Sequence, residues 1–255
     1  MTGERAARAG RWPAGMRLAV TTLTVLPVRG GRVDRPVAAV AMGLAPLIGA
    51  LLGVVLAGLN EGLRALGAPL LVAAGITVAA GALFTRGLHL DGLADTVDAL
   101  GSYRSGPAAL EIMKKPDIGP FGVVALAATV LIQAASIAAL GWWPIVIGWT
   151  AGRLAISLAC RRGVPSARPG GLGAMVASTV PTLAVVSVAA VVLAAAIPAV
   201  PGRPWQGPLA VVVALGAVLL LLRHCTRRLG GVTGDVLGAC AELGTTLTLI
   251  TLTLR

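Results

Sequence analysis

The chain has 255 residues, of which 56% are hydrophobic and only 12% are charged, and its mean hydropathy is +0.89. Soluble domains carry about a quarter charged residues, so these proportions exclude a soluble globular domain, a disordered chain and a disulfide-rich secreted scaffold. The net charge of +11 comes with only 3% aromatic residues, and the basic residues stand between apolar runs, so we expect a lipid bilayer and no nucleic acid as partner.

The chain begins with a basic segment, residues 1–36, which we predict to be cytoplasmic. It contains one short apolar run, residues 16–28, which ends around Pro27. The run is too short to cross a bilayer, so it predicts a short interfacial or re-entrant helix.

Residues 37–255 are predicted to form a single transmembrane catalytic domain. A bilayer core is crossed by a helix of about 20 apolar residues. The uncharged stretch 118–152 is too long for one helix, and we divide it at the turn-forming sequence Gly-Trp-Trp-Pro of residues 141–144. The fold class is therefore an all-α, polytopic helical bundle with about seven spans. They are residues 37–59, 65–85, two helices within 118–160, 180–200, 204–222 and 236–254.

The basic residues alternate between successive connections. Residues 1–36 carry seven, the next connection carries only Arg64, and the later ones carry three, none, three, one and three. Cytoplasmic loops of membrane proteins retain Lys and Arg. The pattern predicts a multi-pass protein of the cytoplasmic (inner) membrane with its N-terminus in the cytoplasm and its C-terminus outside.

Three aspartates share one helical face in LHLDGLADTVDAL, residues 88–100. Asp91, Asp95 and Asp98 fall within roughly 60° around a helix. Carboxylates so placed repel one another unless a cation neutralises them, and hard oxygen ligands suit Mg²⁺. The pattern indicates a magnesium site, with a solvated loop as the alternative. His89 lies off this face, so a positioning or structural role is as well supported as ligation.

Two further segments combine basic residues with glycine. In EIMKKPDIGPFG, residues 111–122, Lys114 is a candidate phosphate contact, and anchoring at the membrane surface is the equally supported alternative. In ARPGGLGAM, residues 167–175, Arg168 stands beside a flexible loop and is a second candidate for a phosphate.

The segment RRLGGVTGDVLGACAEL, residues 227–243, carries two acids on one helical face. Its glycines permit close backbone approach ahead of Asp235, and Glu242 follows seven residues later, about two turns inside an apolar span. A carboxylate there is costly, so it is a site candidate by default, and a hydrogen bond to a neighbour is the alternative. Arg86 and Arg153 interrupt apolar segments and are candidate partners of the buried acids or internal counter-ions.

In the order of these motifs the sequence resembles the cobalamin synthase family, also called adenosylcobinamide-GDP ribazoletransferases, which are integral membrane enzymes. The resemblance covers nearly the whole chain and includes LTVLPVRG at residues 23–30. It implies that a ribazole, free or as its 5′-phosphate, attacks the phosphate on the cobinamide arm of adenosylcobinamide-GDP. GMP then leaves, and adenosylcobalamin or its 5′-phosphate forms.

The resemblance also implies roles for the motif residues. Family members require Mg²⁺, so the implied metal ligands are Asp91, Asp95, Asp98, Asp235 and Glu242. The catalytic candidates are Asp98 or Asp235 as general base, together with Lys114. The candidate substrate-binding residues are His89, Arg168, Gly231, Thr233 and Gly234. The second motif departs from the family's common Met-Lys-Asp-Ser-Arg, because Lys115-Pro116-Asp117 follows Lys114 here, and we assign Asp117 no metal role.

Two other functions stay open at this point. A CDP-alcohol phosphotransferase is also a polytopic Mg²⁺ enzyme, but its signature Asp-Gly-x-x-Ala-Arg breaks here at Asp95. A cation-coupled transporter would carry its acids at mid-membrane in paired inverted halves, whereas most acids here stand at span ends. The oligomeric state is open as well, a homo-oligomer included.

Overall fold

The structure is a computed structural model that describes residues 2–28 and 31–254, with side chains from residue 10 onward. Arg5 and Arg8, as side chains, and Arg29 and Gly30, all part of the predicted cytoplasmic segment, lie outside this description. The described residues form twelve α-helices and no β-strand. The helices are α1 (Thr2–Leu23), α2 (Arg35–Gly43), α3 (Ala45–Ala65), α4 (Leu70–Phe84), α5 (Leu88–Gly101), α6 (Pro107–Ile112), α7 (Pro120–Ala139), α8 (Trp142–Ala159), α9 (Gly171–Val176), α10 (Thr182–Ala196), α11 (Gln206–Leu229) and α12 (Gly234–Thr253).

Five helices of the described residues are long and apolar enough to cross a membrane. They are α3, α7, α11, α12, and α10 with the 3-10 turn Ile197–Ala199 that follows it. A sixth span would need α4 and α5 together, although the chain bends by 89° between them. The remaining predicted span is α8, in which 15 of 18 residues are buried. Each of the seven predicted segments contains a helix, so the prediction of a polytopic all-α bundle is confirmed.

Helix α8 forms the centre of the bundle because small residues let its neighbours approach. A methyl group on Gly49 of α3 would lie 2.6 Å from the carbonyl oxygen of Trp149, and one on Gly152 would lie 2.7 Å from that of Ala241 in α12. Only glycine fits at such crossings. Helices α7 and α10 pack outside, where side chains such as Leu131 and Leu183 are exposed, as expected of surfaces that face lipid.

The predicted first span, residues 37–59, is divided in the structure. Helix α2 ends at Gly43, and α3 begins at Ala45 and continues to Ala65. Pro46 occupies the first turn of α3, where its missing N–H costs nothing, but it cannot continue the hydrogen-bond ladder of α2. Asp34 caps α2 by accepting a hydrogen bond from the amide of Val37 at 3.0 Å.

The predicted second span is shorter than expected. The apolar sequence runs on to residue 90, but α4 ends at Phe84 because Arg86 and Gly87 adopt left-handed conformations with φ of 56° and 68°. Helix α5 therefore leaves almost perpendicular to α4, and we treat it as lying outside the spanning helices.

Two other boundaries differ from the predictions. Helix α1 begins at Thr2 and has 22 residues, so the prediction of a short helix over residues 16–28 was wrong in extent. The residues before Met16 are rich in Ala and Arg, which are both strong helix formers, although the segment is too polar to continue the apolar run. Helix α11 continues to Leu229, seven residues past its predicted end, and adds a basic last turn that suits the helix dipole.

The bundle has two ends: the basic end, whose connections carry most of the basic residues, and the opposite end, which we call the far end. At the far end, Arg64 donates to the carbonyl oxygen of Leu140 at 3.1 Å and Gln206 donates to that of Leu254 at 2.7 Å. At the basic end, the amide of Gly106 donates to the carbonyl oxygen of Arg228 at 2.7 Å. The basic end holds the connections before α2, between α4 and α7, between α8 and α10, and between α11 and α12. Among the described connections, those of the far end carry only Arg64 and Arg203 as basic residues.

Candidate functional site

The candidate site lies at the basic end, where α5 crosses the start of α12. A methyl group on Gly92 would lie 2.7 Å from the carbonyl oxygen of Asp235, and one on Gly238 would lie 3.0 Å from that of His89. These two glycines bring the two backbones together. The crossing therefore places the aspartates of α5 beside Asp235, although about 140 residues separate them in sequence.

One cavity, of about 240 Å³, opens on one side of this crossing. Its titratable lining comes from His89, Asp91, Arg168 and Asp235, all candidates from the sequence, and Thr22 of α1 adds a hydroxyl group. Gly234 lines it as well. The structure thus brings together two predicted metal ligands and three predicted substrate-binding residues.

Asp235 is oriented by two neighbours at the start of α12. Arg168 lies 3.6 Å from its Oδ2, and the hydroxyl of Thr233 donates to the same oxygen at 3.1 Å. The Thr233 oxygen in turn accepts a hydrogen bond from the amide of Val236 at 3.2 Å, which caps α12. Thr233 therefore holds both the helix start and the carboxylate, and its role is positioning within the site.

Gly231 holds the loop before α12 against the connection that carries Arg168. A methyl group on Gly231 would lie 2.3 Å from the carbonyl oxygen of Pro165. The amide of Val232 donates to that carbonyl at 2.9 Å, and the amide of Ala167 donates to the carbonyl of Val232 at 3.0 Å. These backbone bonds fix Arg168 beside Asp235.

A second cavity, of about 310 Å³, opens on the other side of α5. Asp95, Asp98 and Asp117 line it, with Lys115 and Arg104 as the basic residues. Of these, Lys115 and Arg104 were not candidates from the sequence, and Asp117 had been given no role. The only sequence signal for the two basic residues is their place in short connections next to α5.

Asp98 serves the start of α7. Its Oδ2 accepts from the amide of Gly119 at 2.7 Å and its Oδ1 accepts from the amide of Gly122 at 2.9 Å. A methyl group on Gly119 or Gly122 would lie about 2.5 Å from this carboxylate, so both glycines are needed for its approach. Asp98 is buried and caps α7 from α5, a role that the sequence analysis did not foresee.

Asp91, Asp95, Asp98 and Asp235 are referred to as the acidic cluster. The pKa of Asp95 is raised to about 6, first by partial burial of the carboxyl and then by the charges of the three other members. Asp95 is therefore repelled electrostatically by carboxylates that line both cavities. Such mutual repulsion is what a bound divalent cation relieves.

Glu242 lies apart from the acidic cluster. It is buried inside α12 and accepts a hydrogen bond from the amide group of Gln133 in α7 at 2.8 Å, and Gln133 also donates to Thr246 at 2.9 Å. The structure therefore gives Glu242 the neighbour-bonded environment that was the alternative to a metal ligand.

His89 connects the first cavity to a buried arginine. Nη2 of Arg153 lies 3.4 Å from Nδ1 of His89, and its guanidinium stacks 4.1 Å from the ring centre of Trp149. Arg153 is completely buried, so it is internal as predicted, whereas Arg86 is exposed at the bend after α4 and donates to the carbonyl oxygen of Thr21. Arg86 is thus no partner of a buried acid.

Lys114 lies outside both cavities. Its ammonium group pairs with Glu111 at 2.7 Å on an exposed helical turn. The neighbouring Lys115 occupies the position beside the acids instead.

The chemistry of the acidic cluster suits magnesium. Within the described part of the chain, no three His, Cys, Asp or Glu side chains are arranged to hold a metal by themselves. Mg²⁺ in phosphoryl-transfer sites is commonly held by one or two carboxylates together with substrate phosphates and water, so the present arrangement fits that mode.

Comparison with known proteins gives one consistent answer. The family model described as cobalamin-5-phosphate synthase matches residues 15–253. A protein named adenosylcobinamide-GDP ribazoletransferase from Frankia casuarinae is 41% identical, with 92% of each chain covered. Proteins of the same name from Nocardioides sp. and Corynebacterium diphtheriae are 40% and 34% identical, covering 92% and 91% of this chain and 96% and 89% of their own. No solved structure matches.

Proposed function

The chain belongs to the cobalamin-5-phosphate synthase family, and on that premise we propose that it acts as an adenosylcobinamide-GDP ribazoletransferase. It is a multi-pass membrane enzyme whose substrates are adenosylcobinamide-GDP and α-ribazole or its 5′-phosphate. The observation that carries the proposal is the meeting of Asp91, Asp95 and Asp235 with Arg168 at one end of the bundle. The break of the CDP-alcohol phosphotransferase signature at Asp95 favours ribazole over a lipid alcohol as acceptor.

The reaction is an in-line transfer of the cobinamide phosphate. The ribazole hydroxyl oxygen forms a bond to the phosphorus that carries the cobinamide arm, and the bond from that phosphorus to the GMP oxygen breaks. The hydroxyl proton passes to a carboxylate. Asp235 is the better base, because both carboxylate oxygens of Asp98 accept hydrogen bonds from backbone amides.

Mg²⁺ would be held by Asp91 and Asp235, with Asp95 close by. Bound there, it would neutralise charge on the diphosphate oxygens. Arg168 lies in the same cavity and supplies a planar guanidinium that suits a phosphate of the substrate or of the departing GMP. Lys115 and Arg104 add positive charge on the other side of α5.

We further propose that the basic end faces the cytoplasm. The basic residues concentrate at that end, whereas the far-end connections in the described part of the chain hold only Arg64 and Arg203. The acidic cluster lies at the basic end, so nucleotide-activated substrate would reach it from the cytoplasm and GMP would return there. The membrane is then the cytoplasmic membrane of the cell.

A transfer assay on purified membranes tests this function. Adenosylcobinamide-GDP and α-ribazole 5′-phosphate are incubated with the protein, and released GMP and the corrinoid product are both quantified with and without Mg²⁺. We expect equal amounts of the two products, formed only with the metal, and a loss of at least about a hundredfold in Asp235→Asn, because this substitution removes a metal ligand and the proposed base together.

Glu61→Gln is the matched control, because Glu61 is a partly exposed acid at the far end, paired with Arg64 at 3.2 Å. It should keep full activity. GMP release without corrinoid product, or product formation by Asp235→Asn at the wild-type rate, would contradict the proposal.

A further inference from the structure

A larger cavity, of about 580 Å³, lies on the other face of α2 from the candidate site. Val40 and Gly43 of α2 line this groove, whereas Met42 of the same helix lines the cavity beside Asp235. Trp12 of α1 and Ala184 and Val188 of α10 complete its apolar walls. We refer to it as the α10 groove, and nothing in the proposed reaction uses it.

Two arginines give the α10 groove its only charge. Arg11 of α1 and Arg162 of the connection after α8 both line it, and no acidic residue does. Within the described residues neither arginine forms an ion pair, and the Nε atom of Arg11 is buried without a hydrogen-bond partner. Burying a hydrogen-bond donor without an acceptor costs folding free energy, and a bound ligand that accepts the bond removes this cost.

The walls continue into the surface that faces lipid. Leu183 and Val186, which neighbour the lining residues on α10, are 77% and 58% exposed. Both arginines belong to the basic end of the bundle. An occupant must therefore combine an anionic head with apolar chains and must be able to enter from the bilayer.

We infer that the α10 groove binds an anionic phospholipid, with its phosphate on Arg11 and Arg162 and an acyl chain along α10. Guanidinium groups bind phosphate through paired hydrogen bonds, and the cytoplasmic leaflet supplies anionic lipids. A free phosphate ion would leave the apolar walls uncovered, so the lipid is the occupant that matches both parts of the groove. The inference does not depend on the proposed transferase reaction, but it rests on the proposed cytoplasmic orientation of the basic end.

Native mass spectrometry of the full-length protein in mixed micelles tests this site. The probes are phosphatidylglycerol and phosphatidylcholine, which share a phosphate and acyl chains but differ in net charge. We expect one phosphatidylglycerol molecule to bind in preference. The double variant Arg11→Gln/Arg162→Gln should bind it about thirtyfold more weakly, since each basic residue near a membrane surface strengthens the attraction to an anionic lipid about fivefold.

A second variant tests the shape of the groove and leaves its charge unchanged. Ala184→Trp fills the apolar wall and should also prevent lipid binding, whereas Arg227→Gln, at an exposed arginine of α11 outside the groove, should not. Soluble glycerol phosphate should not displace the lipid, because it lacks the chains. Equal binding of the two lipids by the wild type would overturn the inference. So would retention of phosphatidylglycerol by Ala184→Trp together with its displacement by glycerol phosphate, because that pair of results assigns the site to a free anion.

Discussion

At the scale of single residues, the acids of this protein divide into distinct roles that their spacing alone does not separate. Asp91, Asp95 and Asp98 share one helical face, as the sequence predicts, yet Asp91 faces one cavity and Asp98 caps another helix. Its partners, Gly119 and Gly122, lie more than 20 residues away in sequence. Such a contact depends on how α5 and α7 pack, which periodicity does not encode.

Asp98 is expected to contribute more to the stability of the fold than Asp91, which lies on the same face of α5. In Asp98→Asn one backbone amide at the start of α7 loses its acceptor, which costs about 1–3 kcal/mol for a buried donor. Thermal unfolding of the detergent-solubilised protein measures this change. Asp91→Asn is the matched control, since Asp91 is exposed and should leave the melting temperature nearly unchanged. Equal melting temperatures for the two variants would contradict the capping role.

Arg153 is expected to set the tautomer of His89. A guanidinium only donates hydrogen bonds, so Nδ1 of His89 must accept and the ring proton must reside on Nε2. Nitrogen-15 NMR reads this directly, because the chain has only two histidines and His224 is exposed. In Arg153→Met the other tautomer should become populated while the His224 signals stay unchanged. A proton on Nδ1 of His89 in the wild type would exclude this positioning role.

At the scale of elements, the lengths of the apolar runs predicted where the helices lie but not where the chain bends. The long uncharged runs gave α7, α8, α10 and α12 nearly at their observed bounds, because length and hydropathy decide spans in a bilayer. The perpendicular turn before α5 depends on the left-handed conformation of Arg86, a residue type that rarely adopts it. Gly87 is therefore the one residue whose type indicates the bend, and nothing in the sequence shows that Arg86 also adopts this conformation.

The crossing of α5 and α12 is expected to tolerate no side chain at Gly92. In Gly92→Ala the new methyl group meets the backbone of Asp235 at 2.7–2.8 Å, so the two helices must separate. We expect a loss of about 1–3 kcal/mol in stability and a large fall in transfer activity, because Asp91 and Asp235 move apart. Chemical unfolding and the transfer assay measure the two effects.

Gly216→Ala of α11 is the control for this crossing. Apart from the adjacent backbone of α11 itself, no atom lies within 4 Å of its methyl position, and alanine favours helix over glycine by up to about 1 kcal/mol. It should be neutral or slightly stabilising. If Gly92→Ala behaves in the same way, the close crossing is not what holds the cluster together.

At the scale of the whole molecule, the uneven distribution of basic residues links the topology to the chemistry. The basic connections and the acidic cluster share one end of the bundle, and the far end is nearly free of basic residues in its described connections. The sequence alone predicted this alternation because loop charge is read without knowledge of packing. The shared site of Asp91, Asp235 and Arg168 was also expected, but the sequence did not predict that α5 would separate two cavities, with Asp95 and Asp98 in the second.

Cysteine labelling is expected to confirm this orientation. The three native cysteines are buried, so an impermeant maleimide has little background. Tyr103 and Leu66 are 89% and 86% exposed, at the basic end and the far end respectively. In spheroplasts, Leu66→Cys should be labelled and Tyr103→Cys should be labelled only after lysis. The reverse pattern would place the acidic cluster outside the cell.

Metal binding tests the central claim most directly, because the account depends on carboxylates of α5 and α12 holding one divalent ion together. Electron paramagnetic resonance of Mn²⁺, added to the purified protein with adenosylcobinamide-GDP, measures the bound ion. We predict about one bound ion in the wild type and in Glu61→Gln, and a loss of binding in Asp91→Asn and in Asp235→Asn alike. Undiminished binding in both single variants would contradict a shared site at the crossing.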